Sequence, residues 1–556
     1  MRANVHILFA VMFAIVLIIP MQSFGQSQSM QPPVDTLKAN EEMPKLEIPE
    51  ITIVGKKAIM LPFARKGEIF YVNPYVAPPV DSSILEPRQQ MPLPMGSFYR
   101  DAERLTPLHV SADGSVGSFA SGAAHAQVFY KTPDYDIYGI GGAGRTSGYA
   151  VNSSGTMAEA EAGISSLLVT DNDFLKTLRL KLDASDQDES YGMFGIPNPT
   201  ITRDRNHLLL DAGIGSVDRQ GTIFDMDLRG SFWTMKDRYP GMDSSVSIDI
   251  PELKTMFATD IQSVRFFADV NFTSTSLDYL RSVQSPSDVE FSSGARWQVF
   301  NNWILETSGY YGYGSGSEGE SETLLMPAAA LRWDIDANRN FSVWWKPTVS
   351  FDSYDSLEQA IPYLNRELPL QPDRSPVNIG ASFWYGEGPL DFELTGSFRQ
   401  SSDMGVVTAE QPGRLDFVYL EVNELTIGID GSFIPLPTLR LNYTGRILQA
   451  NAQNSNSQLP NIPAVSALCR GEYDLPGAPV TLVSTVEYQS QRNIDLQGVN
   501  SLNAVFLFGV GASTAVAEHV ALSFDIRNFL NSAYSLWSGY AGPGRQFVLT
   551  AKVNFL

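Results

Sequence analysis

The chain closes with three stretches, Asn528-Phe-Leu-Asn-Ser-Ala-Tyr534, Gly539-Tyr-Ala-Gly-Pro-Gly-Arg545 and Gln546-Phe-Val-Leu-Thr-Ala-Lys-Val-Asn-Phe-Leu556. We interpret them as the end of one strand, a long turn and a final strand. In the last stretch, apolar side chains occupy every second position, with Thr550, Lys552 and Asn554 between them. A terminal strand with one apolar and one polar face favours a membrane-spanning β-barrel, whose wall separates lipid from water.

The same alternation recurs along the chain from about residue 107 to its end. Segments 224–232, 392–398, 439–447 and 520–526 each alternate apolar with polar or charged residues. Strands of soluble proteins are usually shorter, about five or six residues. A soluble sandwich or propeller is the alternative. The long strands and the N-terminal leader favour the barrel.

The length of the alternating region predicts the number of strands. About 450 residues, at roughly 20 per strand and connection, predict an all-β antiparallel barrel of about 20–22 strands, with 22 favoured. This number argues against a passive channel of about 14 strands. Segments 243–262 and 412–436 are ambiguous. Tight connections at 337–340 and 386–388, against long ones at 185–203 and 352–375, predict short turns at one rim and loops at the other.

Charged residues on the polar faces predict the character of the lumen. The residues concerned are Asp225, Asp227, Arg229, Arg440, Arg446, Asp525 and Arg527. Their signs are mixed, which predicts a polar lumen without strong ion selectivity.

The N-terminal region differs from the alternating region. Residues 1–25 carry a basic start, an apolar core and a small-residue exit, which predicts a signal peptide cleaved before Gln26; a membrane anchor is the alternative. Residues 26–105 contain eleven prolines, and proline cannot donate to a strand ladder. We therefore predict an extended Pro-rich arm. Within it, 48–57 is β-prone, and Ile51, Thr52, Ile53, Val54 and Gly55 form a candidate docking strand that could add to a sheet edge of a partner. A plain linker is the alternative for this stretch.

Composition and motifs exclude several functions. The net charge of −22 argues against nucleic-acid binding, because phosphates would be repelled. The five histidines lack metal-ligand spacing, and no nucleophile elbow or phosphate loop is present. His109 with Ser111, or His207 with Asp204, is best explained by chance proximity. We expect no enzymatic activity, no cofactor and no metal.

The C-terminal stretches resemble the end of TonB-dependent receptors of Gram-negative outer membranes. The residues that carry the resemblance, over about 30 positions, are Asn528, Asn531, Tyr534, Gly539, Tyr540, Pro543, Gly544, Arg545 and Phe555. That family usually ends on an aromatic residue, whereas Phe555 is penultimate. The stretch Ile51–Gly55 is similar to the short β-prone segment of the family where the TonB contact lies. The resemblance implies an outer-membrane location, embedding in outer-membrane lipid and insertion by the barrel-assembly machinery.

One departure from the family bears on function. Its members carry a globular plug of well over a hundred residues between the TonB-contacting segment and the barrel, whereas here about 50 Pro-rich residues follow Gly55. Two hypotheses follow. The chain moves an unidentified solute across the outer membrane without a plug, with TonB or another periplasmic protein at the arm, or it is a non-transporting scaffold that docks a periplasmic or surface partner.

Overall fold

The computed structural model describes residues 108–555, apart from short gaps. The gaps are 133, 151–152, 170–176, 196–200, 218–222, 240–241, 280–281, 301, 318, 351–356, 358–360, 362, 365–369, 412–413, 454 and 456. The predicted signal peptide 1–25, the Pro-rich arm 26–105 and the docking strand Ile51–Gly55 lie outside the described residues. None of the described residues belongs to a helix long and apolar enough to cross a membrane.

Twenty-two antiparallel strands form one closed sheet, which confirms the favoured strand number. They are β1 (Leu108–Gly117), β2 (Ser121–Lys131), β3 (Tyr135–Thr146), β4 (Gly155–Val169), β5 (Thr177–Gly192), β6 (Thr202–Val217), β7 (Ile223–Tyr239), β8 (Met242–Ile261), β9 (Val264–Ser274), β10 (Ser287–Phe300), β11 (Trp303–Ser315), β12 (Ser321–Asp336), β13 (Arg339–Trp345), β14 (Val377–Glu387), β15 (Leu390–Gln411), β16 (Arg414–Leu436), β17 (Leu439–Ala452), β18 (Val465–Asp474), β19 (Val480–Gln489), β20 (Val505–Ala517), β21 (Val520–Arg527) and β22 (Gln546–Asn554).

Short extended segments in the connections also pair. They are Ser276–Tyr279 with Ser282–Gln284, Thr348–Ser350 with Asp373–Ser375, Arg492–Asn493 with Ser501–Leu502, and Ser535–Trp537 with Tyr540–Ala541.

The final strand closes the barrel. Thr550 of β22 pairs with Ser523 of β21 on one side and with Ser115 of β1 on the other. Closure matters because the hydrocarbon core of a bilayer offers no water to an unpaired strand edge. The predicted final strand is therefore the seam that joins the two ends of the wall.

The two faces of the wall remain distinct around the whole barrel. Side chains that lie opposite each other on paired strands share a face, so the register assigns each residue of the wall to lipid or lumen. Leu549 is 47% exposed on the outer face, whereas its neighbour Thr550 faces inward. Exposed apolar side chains form an outer belt that includes Leu182, Leu228, Phe266, Leu394, Leu425, Ile447, Leu482, Phe506 and Phe524. A belt of this extent is typical of a lipid-facing surface.

The two rims differ, as the alternating connection lengths predict. At the rim where β1 begins and β22 ends, the turn rim, every connection has at most seven residues. The opposite loop rim carries the longer connections, including 346–376, 490–504 and 528–545.

One predicted connection is shorter in the structure, and two segments with an ambiguous pattern are strands. The predicted long connection 185–203 is shorter than expected, because β5 continues to Gly192 and β6 begins at Thr202. The ambiguous segments 243–262 and 412–436 are strands β8 and β16. Pro251 obscured the pattern of β8, and it lies where β8 changes from pairing with β9 to pairing with the segment Ser276–Tyr279.

A charged side chain on the lipid face should destabilise the wall more than one on the lumen face. We expect Leu549→Arg to lower the free energy of unfolding by about 2–4 kcal/mol, because an arginine would enter the hydrocarbon. Thr550→Arg, one residue away and facing water, is the matched control and should cost much less. Urea unfolding in lipid vesicles measures both, and equal losses would contradict the assignment of faces.

Candidate functional site

The inner wall of β3–β8 is a network of charged and hydroxyl groups. Lys181 Nζ lies 2.6 Å from Asp183 and 2.8 Å from Asp211. Tyr138 Oη donates to Glu161 at 2.8 Å and to Asp183 at 2.9 Å. Lys181 therefore pairs with acids of two strands, and the surface around it is polar.

Three of the predicted lumen residues lie in this network. Asp225, Asp227 and Arg229 line a cavity of about 250 Å³ together with Lys181 and Lys254. The predicted residues Arg440, Arg446, Asp525 and Arg527 lie opposite Glu472, Ser466, Gly511 and Gln546, on the lumen side of their strands.

A second, larger space adjoins the first on the lumen side of β7–β12. It measures about 570 Å³ and shares Asp225, Asp227 and Lys254 with the smaller cavity. Lys346 from the connection 346–376 also borders it. The two spaces together extend over about a third of the barrel wall, and the larger one is lined by apolar side chains such as Met256 and Phe267 as well as by charged ones.

A cluster of buried apolar side chains lies above this wall, at the loop rim. The mouth cluster consists of Tyr149, Tyr191, Met193, Ile201, Trp233, Met235, Val246, Ile248, Ile250, Leu277, Leu357, Ile361, Tyr363, Leu364, Leu370, Leu415, Phe417, Leu536, Trp537 and Tyr540. Its strand members come from β5, β7, β8 and β16, and the others come from the connections at the loop rim, chiefly 346–376 and 528–545. Strands β8 and β16 are eight strands apart around the wall, so the cluster crosses the mouth of the lumen.

Tyr540 lies at the centre of the mouth cluster and is 0% exposed. Its ring stacks on Tyr363 at 4.0 Å between centroids and meets the edge of Phe194 at 5.1 Å. A Cβ atom at Gly195 would lie only 2.6 Å from the Tyr540 ring, so this contact requires glycine. Burial raises the pKa of the Tyr540 hydroxyl.

Buried charged side chains lie within the mouth cluster, level with Trp233 and Met235 or nearer the rim. Arg203 of β6 is 2% exposed and forms a two-fold ion pair with Asp237 of β7, with N–O distances of 2.9 and 3.2 Å. Its Nη1 also donates to the carbonyl of Leu364 at 3.0 Å. Arg203 therefore ties the connection 346–376 to the inner wall.

A second buried pair lies beside the first. Arg205 contacts Glu189, and its guanidinium lies 5.1 Å from the ring centroid of Trp233. His207 stacks on the same tryptophan at 3.9 Å and lies 2.9 Å from the Ser231 hydroxyl. Pairing and hydrogen bonds make it tolerable to bury these charges.

The C-terminal motif residues are brought together in the connection 528–545. Asn528 and Asn531 adopt left-handed φ angles of 45° and 55°, which asparagine tolerates better than most residues. Asn528 Nδ2 donates to the carbonyl of Pro543 at 2.8 Å, and Asn531 Oδ1 accepts from the Arg545 backbone N–H at 2.8 Å. Arg545 Nε returns a hydrogen bond to the Phe529 carbonyl at 2.8 Å.

The remaining motif residues support the same loop or the seam. Gly539 has a φ of 85°, and the Tyr534 carbonyl accepts a hydrogen bond from the Gly542 N–H. A Cβ atom at Gly544 would lie 2.6 Å from Asn531 Oδ1. Phe555 donates its backbone N–H to Val110 at the seam. These residues form the connection 528–545 and the seam between β22 and β1, whereas other residues form the lumen surface.

The pairs that sequence proximity suggested for catalysis are not assembled. His207 faces inward whereas Asp204 lies on the opposite face of β6. His109 and Ser111 share one face of β1, where the hydrogen-bond partner of Ser111 Oγ is Gln127, which donates to it. Within the described ranges, no group of three or more His, Cys, Asp or Glu could hold a metal ion.

Sequence reasoning missed Arg203, Tyr363 and Arg492. The alternation from Arg203 to His207 gave a signal for an inward face, but only the fold shows that this end of the face is dry. Arg492 Nη2 donates to the carbonyls of Ser535 and Leu536 at 2.9 and 3.0 Å. Burial lowers its pKa to about 10, and the charge of Glu487 opposes this shift.

Comparison with known proteins identifies the fold. No protein-family model and no curated protein matches the chain. The FrpB iron transporter from Neisseria meningitidis superimposes with a TM-score of 0.65 at 11% identity, over 81% of each chain. BauA, the ferric preacinetobactin receptor from Acinetobacter baumannii, gives 0.63 at 13% identity, over 81% of this chain and 80% of that one. FyuA, the ferric yersiniabactin uptake receptor from Yersinia pestis, gives 0.60 at 10% identity, with the same coverage.

At these identities the similarity shows the fold alone. The fold is the 22-strand barrel of TonB-dependent receptors, as the C-terminal resemblance implied. The apolar belt on its outer face is typical of a barrel wall that faces lipid.

The buried ion pair of Arg203 should contribute strongly to stability. Arg203→Met leaves the Asp237 carboxylate and the Leu364 carbonyl without this donor, and we expect a loss of about 3–5 kcal/mol in the free energy of unfolding. The matched control is Arg339→Met at the turn rim, where Arg339 is 46% exposed beside Asp336. An exposed pair is worth at most about 1 kcal/mol. Urea unfolding in vesicles compares the two, and similar losses would contradict the dry environment of Arg203.

Proposed function

We propose that the chain transports a solute across the outer membrane through a barrel that carries no globular plug. The observation that supports this best is the inner wall of β5–β8, where Lys181, Asp211, Asp227 and Arg229 line a water-accessible cavity. A polar wall favours passage of a hydrophilic solute, because its charges can exchange hydrogen bonds with the solute or with water. Uptake of iron chelates is a property of the similar structures and is not carried over to this chain.

The Pro-rich arm would take the place of the plug domain. About 50 residues separate Gly55 from Leu108, too few for a plug of well over a hundred. We propose that residues 26–105 occupy the lumen or extend into the periplasm, and that Ile51–Gly55 adds as a strand to TonB. Outer-membrane lipid surrounds the belt, and the barrel-assembly machinery would insert the final strand.

Removal of the arm tests its place in the lumen. We expect the chain lacking residues 26–100 to conduct ions in planar bilayers about tenfold better than the full chain, because a filled pore has a higher barrier. Deletion of 26–47 alone is the matched control and should have little effect. Unchanged single-channel conductance in the longer deletion would refute the arm as a lumen filler.

A second candidate is supported by the mouth cluster. Apolar side chains cross the mouth, and Tyr540 and Trp233 are almost completely buried there. A lumen covered in this way also suits a scaffold that presents its loops or its arm to a periplasmic or surface partner. Such a scaffold would need the barrel only as a membrane anchor.

Binding by the arm separates the two candidates. We expect the full chain in detergent to bind purified TonB periplasmic domain, and Ile53→Pro to abolish binding because proline cannot donate to a strand ladder. The control is Ile59→Pro, outside the docking strand. Surface plasmon resonance reports both. Absence of TonB binding, with retention of another periplasmic or surface protein that Ile53→Pro releases, would favour the scaffold.

A further inference from the structure

The connection 528–545, which we call the stopper loop, has a rigid base and a tip that enters the mouth. At its base, Asn528 bonds to Ser532 and Pro543, and Asn531 bonds to Arg545. The tip is the small hairpin of Ser535–Trp537 and Tyr540–Ala541. Because the base is cross-linked by these hydrogen bonds, the tip is held at a defined place over the lumen.

The tip reaches the part of the rim above β5 and β6. Tyr540 precedes β22 by six residues, yet its ring contacts Phe194 and Gly195 of the connection between β5 and β6. At a strand spacing of about 4.8 Å, five or six strands correspond to roughly 25–30 Å along the wall. The loop therefore spans the mouth as a chord. Leu536 and Trp537 accompany Tyr540 and are likewise buried in the mouth cluster.

Two neighbouring loops hold the tip from opposite sides. Arg492, 2% exposed, donates to the Ser535 and Leu536 carbonyls. On the other side, Tyr149 Oη donates to the Ala541 carbonyl at 2.8 Å. A buried guanidinium is costly without acceptors, so the carbonyls of the tip and Arg492 stabilise each other.

We infer that the stopper loop sets the upper size of the solutes that enter the lumen, with Trp537 and Tyr540 as the constricting side chains and Arg492 as their positioning residue. This inference rests on the proposed transport function. The apolar tip covers a polar wall, so it limits passage by size, while the charged wall beneath it favours hydrophilic solutes. The stopper loop thus limits passage at the loop rim, as a plug domain would do within the barrel.

The test removes the aromatic side chains of the tip and the N-terminal arm, each alone and both together, and compares these three variants with the full chain. Trp537→Ala/Tyr540→Ala is made in the full chain and in the chain lacking residues 26–100, and each is reconstituted in liposomes. Swelling is measured with neutral sugars of increasing size, from a monosaccharide to a tetrasaccharide. We expect the double variant to admit the larger sugars about tenfold faster than its parent in at least one background, because the aromatic contacts that narrow the mouth are lost.

Two further variants control for damage to the barrel. Trp303→Ala/Trp333→Ala removes an aromatic pair stacked at 5.2 Å on the outer face and should leave the size limit unchanged. Arg492→Gln keeps both constricting side chains but frees the tip, and should raise entry of the larger sugars as well. Heat-dependent electrophoretic mobility verifies that each barrel is folded.

The outcomes distinguish the two levels of the argument. If deletion of 26–100 admits sugars but the double variant and Arg492→Gln match their parents at every size, the stopper role is wrong and transport stands. If no folded variant in either background admits even the monosaccharide, the transport proposal fails, and the stopper role fails with it. A gain by Trp303→Ala/Trp333→Ala equal to that of the double variant would also overturn the stopper role.

Discussion

The structure depends on the closed ladder of backbone hydrogen bonds between β22 and β1. A bilayer supplies no water to satisfy a strand edge, so the wall is stable only when its last strand meets its first. Once Thr550 lies opposite Ser115, the pairing register determines on which face every other wall residue lies. Both the apolar belt and the charged lumen follow from this one constraint.

At the loop rim, the cost of burying charged groups is balanced by the ion pairs that they form. There, the chain buries Arg203, Arg205, Glu189 and Asp237 within an apolar cluster. Desolvation of these groups is unfavourable unless each finds a partner, and the pairs Arg203–Asp237 and Arg205–Glu189 supply it. The inward face of β6 borders the cavity deeper in the lumen, at Asp211, but is dry at the rim, at Arg203 and Arg205. Burial, and not residue type, separates the two zones.

The residues of the C-terminal motif determine the conformation of the stopper loop. Asn528, Asn531 and Arg545 hold the base of that loop, and Gly539 permits the turn at its tip. These residues position Tyr540 at the mouth. A stretch that identifies the fold can therefore also determine the geometry of the mouth.

The sequence alone determined the strand class, the favoured strand number and the lumen placement of Asp225, Asp227 and Arg229, because strand periodicity is local and has period two. It left β8 undecided, since Pro251 interrupts the pattern, and it made the connection 185–203 too long, since acidic residues resemble a loop. Only the tertiary structure decided that Tyr540, Tyr363, Arg203 and Arg492 meet at one mouth. These residues are far apart in the chain, and a closed wall brings them together through contacts that no local pattern encodes.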